Sequence, residues 1–292
     1  MAVLRAVQGL AASSFAPIAL SCLTEALPPR KRATAIGAMS TAFLVAGIFG
    51  QVLASSLALW WDWRAVFVVT AAVLLCAGLL IQATGTEPAS DRHDGHLGAR
   101  FAALARFAAQ PRILLLCCAH ITLLLSFVAM YSALGPHLVG FDVDPSRIIV
   151  LRLVGLPGMF AALGVGWIAS RIGMAGVARA GFLVAAVGLS VEAALAQSLT
   201  GVAVGSLIFV TGVALAVPAM ITLFGAAAAP NRAAGMALNG VVLFVGASIG
   251  PLAASGTLGF STLLAVLAVV LAAAAVFITL FARAQRRREA LA

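Results

Sequence analysis

The sequence predicts an all-α polytopic membrane protein, and three observations predict it. Of the 292 residues, 63% are hydrophobic and only 9% are charged, giving a mean hydropathy of +1.13. A soluble core cannot hide that much apolar surface. The apolar residues also fall into near-uncharged runs of about 20, the length at which a helix crosses roughly 30 Å of hydrocarbon. Finally, Ala, Leu, Val and Gly dominate these runs, without the short alternating-polarity segments of a spanning β-barrel.

Nine runs qualify: 5–27, 34–60, 64–82, 113–135, 146–169, 177–198, 201–225, 233–256 and 258–282. The first is read as a span rather than a signal peptide. It is long, is interrupted by Gln8 and Pro17, and shows no cleavage site before the Glu25–Arg32 loop. The last four are joined by very short links, which makes them antiparallel neighbours. Pro157 and Pro218 are expected to interrupt the fifth and seventh spans.

Residues 83–112 are the only long polar stretch, with Glu87, Asp91, Asp94, His93, His96 and four arginines. They divide the chain into three parts. Residues 1–82 form a three-helix portion read as the remnant of an N-terminal bundle. Residues 83–112 form a cytoplasmic linker, in which 101–107 with Arg100 and Arg106 reads as an amphipathic helix on the inner membrane surface. Residues 113–292 form a six-helix bundle with a basic tail.

Charge orients this arrangement. With the carboxyl terminus in the cytoplasm, the inner loops and tail hold Arg30, Lys31, Arg32, Arg92, Arg100, Arg106, Arg112, Arg171, Arg179, Arg232, Arg283, Arg286, Arg287 and Arg288. The opposite side holds only Arg64, Arg147 and Arg152. That asymmetry is a positive-inside signal for a multi-pass protein of the inner cell membrane. It also explains the net charge of +9 without a nucleic-acid partner. Cys22, Cys76, Cys117 and Cys118 lie in apolar runs, with no metal-ligand spacing. His93 and His96 lack a defined third ligand, so neither a metal nor a cofactor is expected. There is no nucleotide-binding loop and no Ser/His/Asp arrangement for hydrolysis, which argues against an enzyme.

One stretch is written twice. Val45–Ser55, VAGIFGQVLAS, returns 200 residues later as VGASIGPLAAS, and each follows an arginine, Arg32 or Arg232, by the same distance. If the second and eighth spans are equivalent, the fourth to sixth spans need partners before Met1. The expectation is a twelve-helix parent of two parallel repeats, of which the first three helices are missing here. Ala46 and Gly50, like Gly246 and Gly250, are spaced by four and are expected to let helices pack closely. Pro251 is expected to bend the second copy, and Gln51 to leave the first straighter and more polar.

The segment Arg5-x-x-Gln8-Gly9, then Glu25-Ala-Leu-Pro-Pro-Arg-Lys-Arg32, then the glycine stretch, then Trp63-Arg64-Ala-Val-Phe67, resembles the fourth to sixth helices of the major facilitator superfamily. Its nearest look is to the twelve-helix drug:proton antiporter group. Gly166-Trp-Ile-Ala-Ser-Arg-Ile-Gly173 resembles the family's short loop after the eighth helix, and Arg232 through Ser255 its eleventh helix. The resemblance covers the whole chain and implies a helix bundle in which helices 4–12 are present.

There are departures. The antiporter signature Gly-x-x-x-Gly-Pro-x-x-Gly-Gly is degraded to Ala46, Gly50, Gln51, Ala54 and Ser55, and Ser170 stands where aspartate is usual. The resemblance implies a secondary transporter, with proton-coupled efflux of small amphipathic compounds as the main reading. Sugar or metabolite transport, or a truncated protein that does not transport, are the alternatives. Its partners would be a small-molecule substrate, protons and the bilayer, with the protein a monomer.

Four polar residues inside spans are transport candidates, because an intramembrane polar group is costly and usually faces a cavity or a partner. Arg5 is a permanent charge, and the resemblance links it to proton transfer or substrate handling. Gln8, one turn later, lines the same cavity in this reading. Glu192 is a candidate proton carrier or cation site, with a hydrated interfacial carboxylate as the plainer expectation. His120 titrates near neutrality, with a hydrogen-bonded packing residue as its plainer reading. The helix-packing and gating candidates are Ala46, Gly50, Gln51, Gly246, Gly250 and Pro251.

Overall fold

A computed structural model describes residues 3–4, 7–9, 11–12, 15, 18–19, 22, 27–84, 97–141, 151, 153–229 and 232–289. All regular elements among them are helical. We number them α1 (Pro29–Trp60), α2 (Trp63–Thr84), α3 (Leu97–Ala108), α4 (Pro111–Val139), α5 (Leu156–Ile172), α6 (Met174–Ala194), α7 (Leu199–Ala227), α8 (Arg232–Ala254) and α9 (Phe260–Glu289). Seven of these, all but α3 and α5, are long and apolar enough to cross a membrane.

Local chemistry sets the boundaries. Prolines Pro29 and Pro111 open α1 and α4 at positions where the missing N–H is not needed. The Asp62 carboxylate accepts the Trp63 amide at 2.7 Å and starts α2. Ser198 accepts the Gly201 amide at 3.3 Å and starts α7. Gly173 turns α5 into α6 in a single residue with φ +74, a left-handed conformation that glycine adopts without strain.

Helices α4 to α9 pack into one bundle: α8 and α9 lie on α4, α9 also lies on α6, and α6 lies along α7. The α6/α7 contact is built on bare backbone. Glycines Gly205, Gly188, Gly212 and Gly181 press against Glu192, Phe209, Ala185 and Ala216 in turn. These pairs keep one antiparallel register, so small residues face backbone over about three turns. Helix α1 leans on α5 and α7, and α2 packs on α1. The described side chains of α2 are otherwise uncovered, as a lipid-facing apolar helix would be.

The two poles differ chemically. Arg112 at the start of α4 donates to Gln285 near the end of α9 at 3.0 Å. At the other end of α4, His137 stacks on Phe260 at the start of α9, with centroids 4.0 Å apart. The pole where α4, α6 and α8 begin therefore carries Lys31, Arg32, Arg106, Arg112, Arg171, Arg179, Arg232, Arg283, Arg286 and Arg287. We call it the basic pole. Trp60, Trp61 and Trp63 sit exposed at the opposite pole. Trp167 lies near the basic pole, with the Arg171 guanidinium 4.0 Å above its ring. Aromatic rings at both levels suit the two headgroup regions of a bilayer.

The interruption expected near Pro157 is present: α5 starts with a turn at Leu156–Met159, tightens into a 3-10 stretch at Phe160–Gly164, and resumes at Val165–Ile172. Other expectations change. Pro218, expected to interrupt the seventh span, lies inside a continuous α7, where the Thr222 hydroxyl donates to its carbonyl at 2.9 Å. The Ala46/Gly50 face of α1 does not pack: both are exposed and nothing approaches Gly50 within 4 Å. The covered face of α1 is instead Ile36, Gly37, Ser40, Thr41 and Ile48. Pro251 stands in the last turn of α8, where it deprives only the Ala247 carbonyl of its amide partner, and the helix continues through it to Ala254. Gln51 is half-buried in an unbroken α1.

Candidate functional site

The site is the seam where α1 meets the six-helix bundle, together with the buried polar groups at its two ends. The seam forms because glycines let three helices converge. A methyl group on Gly37 of α1 would sit 2.9 Å from the Ala162 carbonyl of α5. One on Gly158 would sit 2.6 Å from Thr211 Oγ1 of α7 and 3.0 Å from the Leu207 carbonyl. One on Gly155 would sit 2.6 Å from the Tyr131 hydroxyl, 3.0 Å from Val210 and 3.3 Å from Ile48. So Gly155 is hemmed in by α1, α4 and α7 at once.

An aromatic cluster lies beside that junction. Phe127 packs against Tyr131 at 4.9 Å and stacks with Phe209 at 6.4 Å, and Gly47 of α1 faces the Phe127 ring. The surface is apolar with a few hydroxyls: Tyr131, Thr211, and Ser40 and Ser126, whose oxygens are buried with no hydrogen-bond partner. Thr41 spends its hydroxyl on the Gly37 carbonyl at 2.9 Å, which stiffens α1 where it touches α5.

His120 lies toward the basic pole, fully buried at 0% exposure. Phe224 of α7 tilts against its ring with centroids 5.3 Å apart, and the Asn239 side chain of α8 stands beside it. Both ring nitrogens and the Asn239 oxygen remain outside hydrogen-bond geometry. The plain expectation of a hydrogen-bonded packing histidine is thus only half met: the residue packs, but its polar atoms are left unmatched.

Glu192 corrects its plain expectation more sharply. It is 0% exposed, not hydrated, because Gly205 brings α7 directly onto its backbone. Neither carboxylate oxygen has a partner, nor does the hydroxyl of Ser206 on α7. One turn further on, the Ala196 carbonyl lies 2.8 Å from His137 Nε2. A carboxyl buried without a partner among the described residues of an apolar bundle is costly.

The structure does not bring the four candidates together. At 1.5 Å per residue, His120 lies about 12 Å from the Arg112 level and Glu192 about 27 Å from the Met174 level. They therefore serve opposite halves of the bundle. Gln8 is helical and exposed, and Arg5 lies outside the described residues, as do His93 and His96. Of the packing motif, Gly246 and Gly250 do what was expected. Gly246 faces the Ile121 carbonyl of α4, and a methyl group on Gly250 would sit 2.8 Å from Val128 Cβ. An open groove of about 970 Å³ lies between α6 and α9, lined by Leu183, Val187, Ser190, Ser261, Thr262 and Val269. It holds none of these residues.

Some site residues were missed. Tyr131 is the only tyrosine in the chain, and Asn239 is an amide inside a span; either could have been singled out as an intramembrane polar group. Phe127, Phe209, Gly155 and Gly158 carry no signal that separates them from other apolar residues.

The Major Facilitator Superfamily profile matches residues 1–224. The chain belongs to the major facilitator superfamily. A search of curated protein sequences finds no match. Among solved structures, a fucose:proton symporter of E. coli superposes with a TM-score of 0.64 at 17% identity, covering 91% of this chain and 73% of that one. At that identity the likeness speaks to fold. The family consists of transporters rather than enzymes, and this chain is a multi-pass membrane protein of that fold.

Proposed function

We propose that this superfamily member is a secondary transporter that couples the movement of a small amphipathic compound to proton flow, in the direction of export. The observation that supports it best is Glu192, a carboxyl sealed at 0% exposure with both oxygens unpartnered. In this reading Glu192 takes up and releases the proton. The seam between α1 and α4, α5 and α7 opens and closes around the substrate. Phe127, Tyr131, Phe209 and Ile48 supply an apolar wall that suits such cargo, and the basic pole faces the cytoplasm. Residues 1–82, 83–112 and 113–292 act as one half, a linker and the other half.

A second reading is sugar or other polar metabolite transport. It is favoured by the hydroxyls of Tyr131, Thr211, Ser126 and Ser40 along the same seam, and by the fucose:proton symporter with which the fold superposes. One experiment separates them. Full-length protein in proteoliposomes is loaded with a pH-sensitive dye and offered lipophilic cations and neutral amphiphiles in one series, and hexoses in another. Proton movement with the amphiphiles, lost in Glu192→Gln, is the expected result. Proton movement with hexoses alone selects the second reading, and none with either defeats proton coupling.

A further inference from the structure

The arginines at the end of α9 do more than orient the chain. Helix α9 has 30 residues, about 45 Å of helix against roughly 30 Å of hydrocarbon. Its last turns therefore continue as helix into the headgroup layer at the basic pole. Viewed down the axis at 100° per residue, Arg286 and Arg287 fall about 60° and 40° either side of Arg283, while Gln285 points about 160° away. The structure agrees with that division. Gln285 is turned inward and accepts from Arg112 at 3.0 Å, whereas Arg283, Arg286 and Arg287 are exposed and have no ion-pair partner among the described residues.

Among the described side chains, then, Arg283, Arg286 and Arg287 share the face of α9 turned away from Gln285 and the start of α4, with no described carboxylate beside them. Arginine presents donors in a planar fork that matches phosphate oxygens.

We propose that this face, built on Arg283, Arg286 and Arg287, binds the phosphodiester headgroup of an anionic phospholipid. The partner is a lipid because the three side chains leave a membrane-spanning helix at headgroup depth, where an anionic headgroup is held by its own acyl chains. Because the opposite side of the same turn grips Arg112, a lipid bound here braces α9 against the start of α4.

The test uses the full-length protein in micelles. Short-chain phosphatidylglycerol, short-chain phosphatidylcholine and inorganic phosphate are titrated in turn, and binding is read from the shift in thermal midpoint. Each basic residue near an anionic surface contributes about fivefold, so R283Q/R286Q/R287Q weakens phosphatidylglycerol binding about 100-fold. The charge-preserving R283K/R286K/R287K retains most of it, and Arg64→Gln at the opposite pole leaves it unchanged. Equal stabilisation by phosphatidylcholine would overturn the proposal, as would full phosphatidylglycerol binding by the Gln variant. Inorganic phosphate that matches phosphatidylglycerol at the same concentration would make this a free-anion site and refute the lipid assignment.

Discussion

Gly50 and Gly250 occupy the same place in the repeated stretch, yet alanine at each should have opposite effects. In a helix, alanine is favoured over glycine by up to about 1 kcal/mol, and both positions share that gain. At Gly50 nothing lies within 4 Å of the new methyl group, so Gly50→Ala should be neutral to slightly stabilising. At Gly250 the methyl group would sit 2.8 Å from Val128 Cβ, 3.0 Å from the Ala129 nitrogen and 3.0 Å from the Leu125 carbonyl oxygen of α4. None of those atoms can swing aside by a rotamer change, so an overpacking penalty of about 1–3 kcal/mol applies. The difference between the two variants should be about 2 kcal/mol, with Gly250→Ala the less stable. Equilibrium unfolding of full-length protein by SDS in mixed micelles, followed by tryptophan fluorescence, measures it. If Gly50→Ala is as destabilising as Gly250→Ala, the bare face of α1 is covered in the folded protein and the packing argument fails.

Two further outcomes follow from local geometry. Gly173→Ala forces a side chain into φ 74, ψ 162, a region essentially reserved for glycine, and should cost about 1–3 kcal/mol, with Gly173→Asn no cheaper because asparagine favours a different left-handed ψ; paired thermal melts would show whether the two match. Arg112→Ala and Gln285→Ala remove the two ends of one 3.0 Å hydrogen bond. A double-mutant cycle on the same unfolding assay should return a coupling of about 1–2 kcal/mol, and a coupling near zero would mean that α4 and α9 are not tied there.

Much of the fold was legible because lipid imposes a simple rule on sequence. Runs such as 201–225 and 258–282 can only be spanning helices; the first is observed longer at both ends, as Leu199–Ala227, and the second begins slightly later and extends further, as Phe260–Glu289. The break in the fifth span was legible from Pro157, but its form was not, because hydropathy does not register backbone form: Gly155, Gly158 and Gly164 are apolar by composition, yet they accompany a turn, a close approach and a 3-10 stretch. Pro218 misled, since the surrounding helices hold α7 continuous despite the missing donor.

Gly246 and Gly250 were readable as packing residues because spacing by four places them on one face. The same pattern at Ala46 and Gly50 was not enough, because a pattern names a face without naming its neighbour. Glu192 was found as a polar residue in a span. Its burial was not legible, because that depends on Gly205 of another helix coming directly against it.

The fixed register between α6 and α7 carries a mechanical consequence. Gly188 faces Phe209, and Gly205 faces Glu192, so each bulky residue on one helix sits in a notch on the other. A slip of one helical turn would set Phe209 against the Glu192 backbone, where there is no notch to receive it. These two helices cannot ratchet; they must travel as one stiff rod, and Glu192 travels with them. Bending has to be taken up elsewhere. The 3-10 stretch Phe160–Gly164 of α5, with its tighter winding and poorer hydrogen-bond geometry, lies beside the rod and faces α1 across the seam.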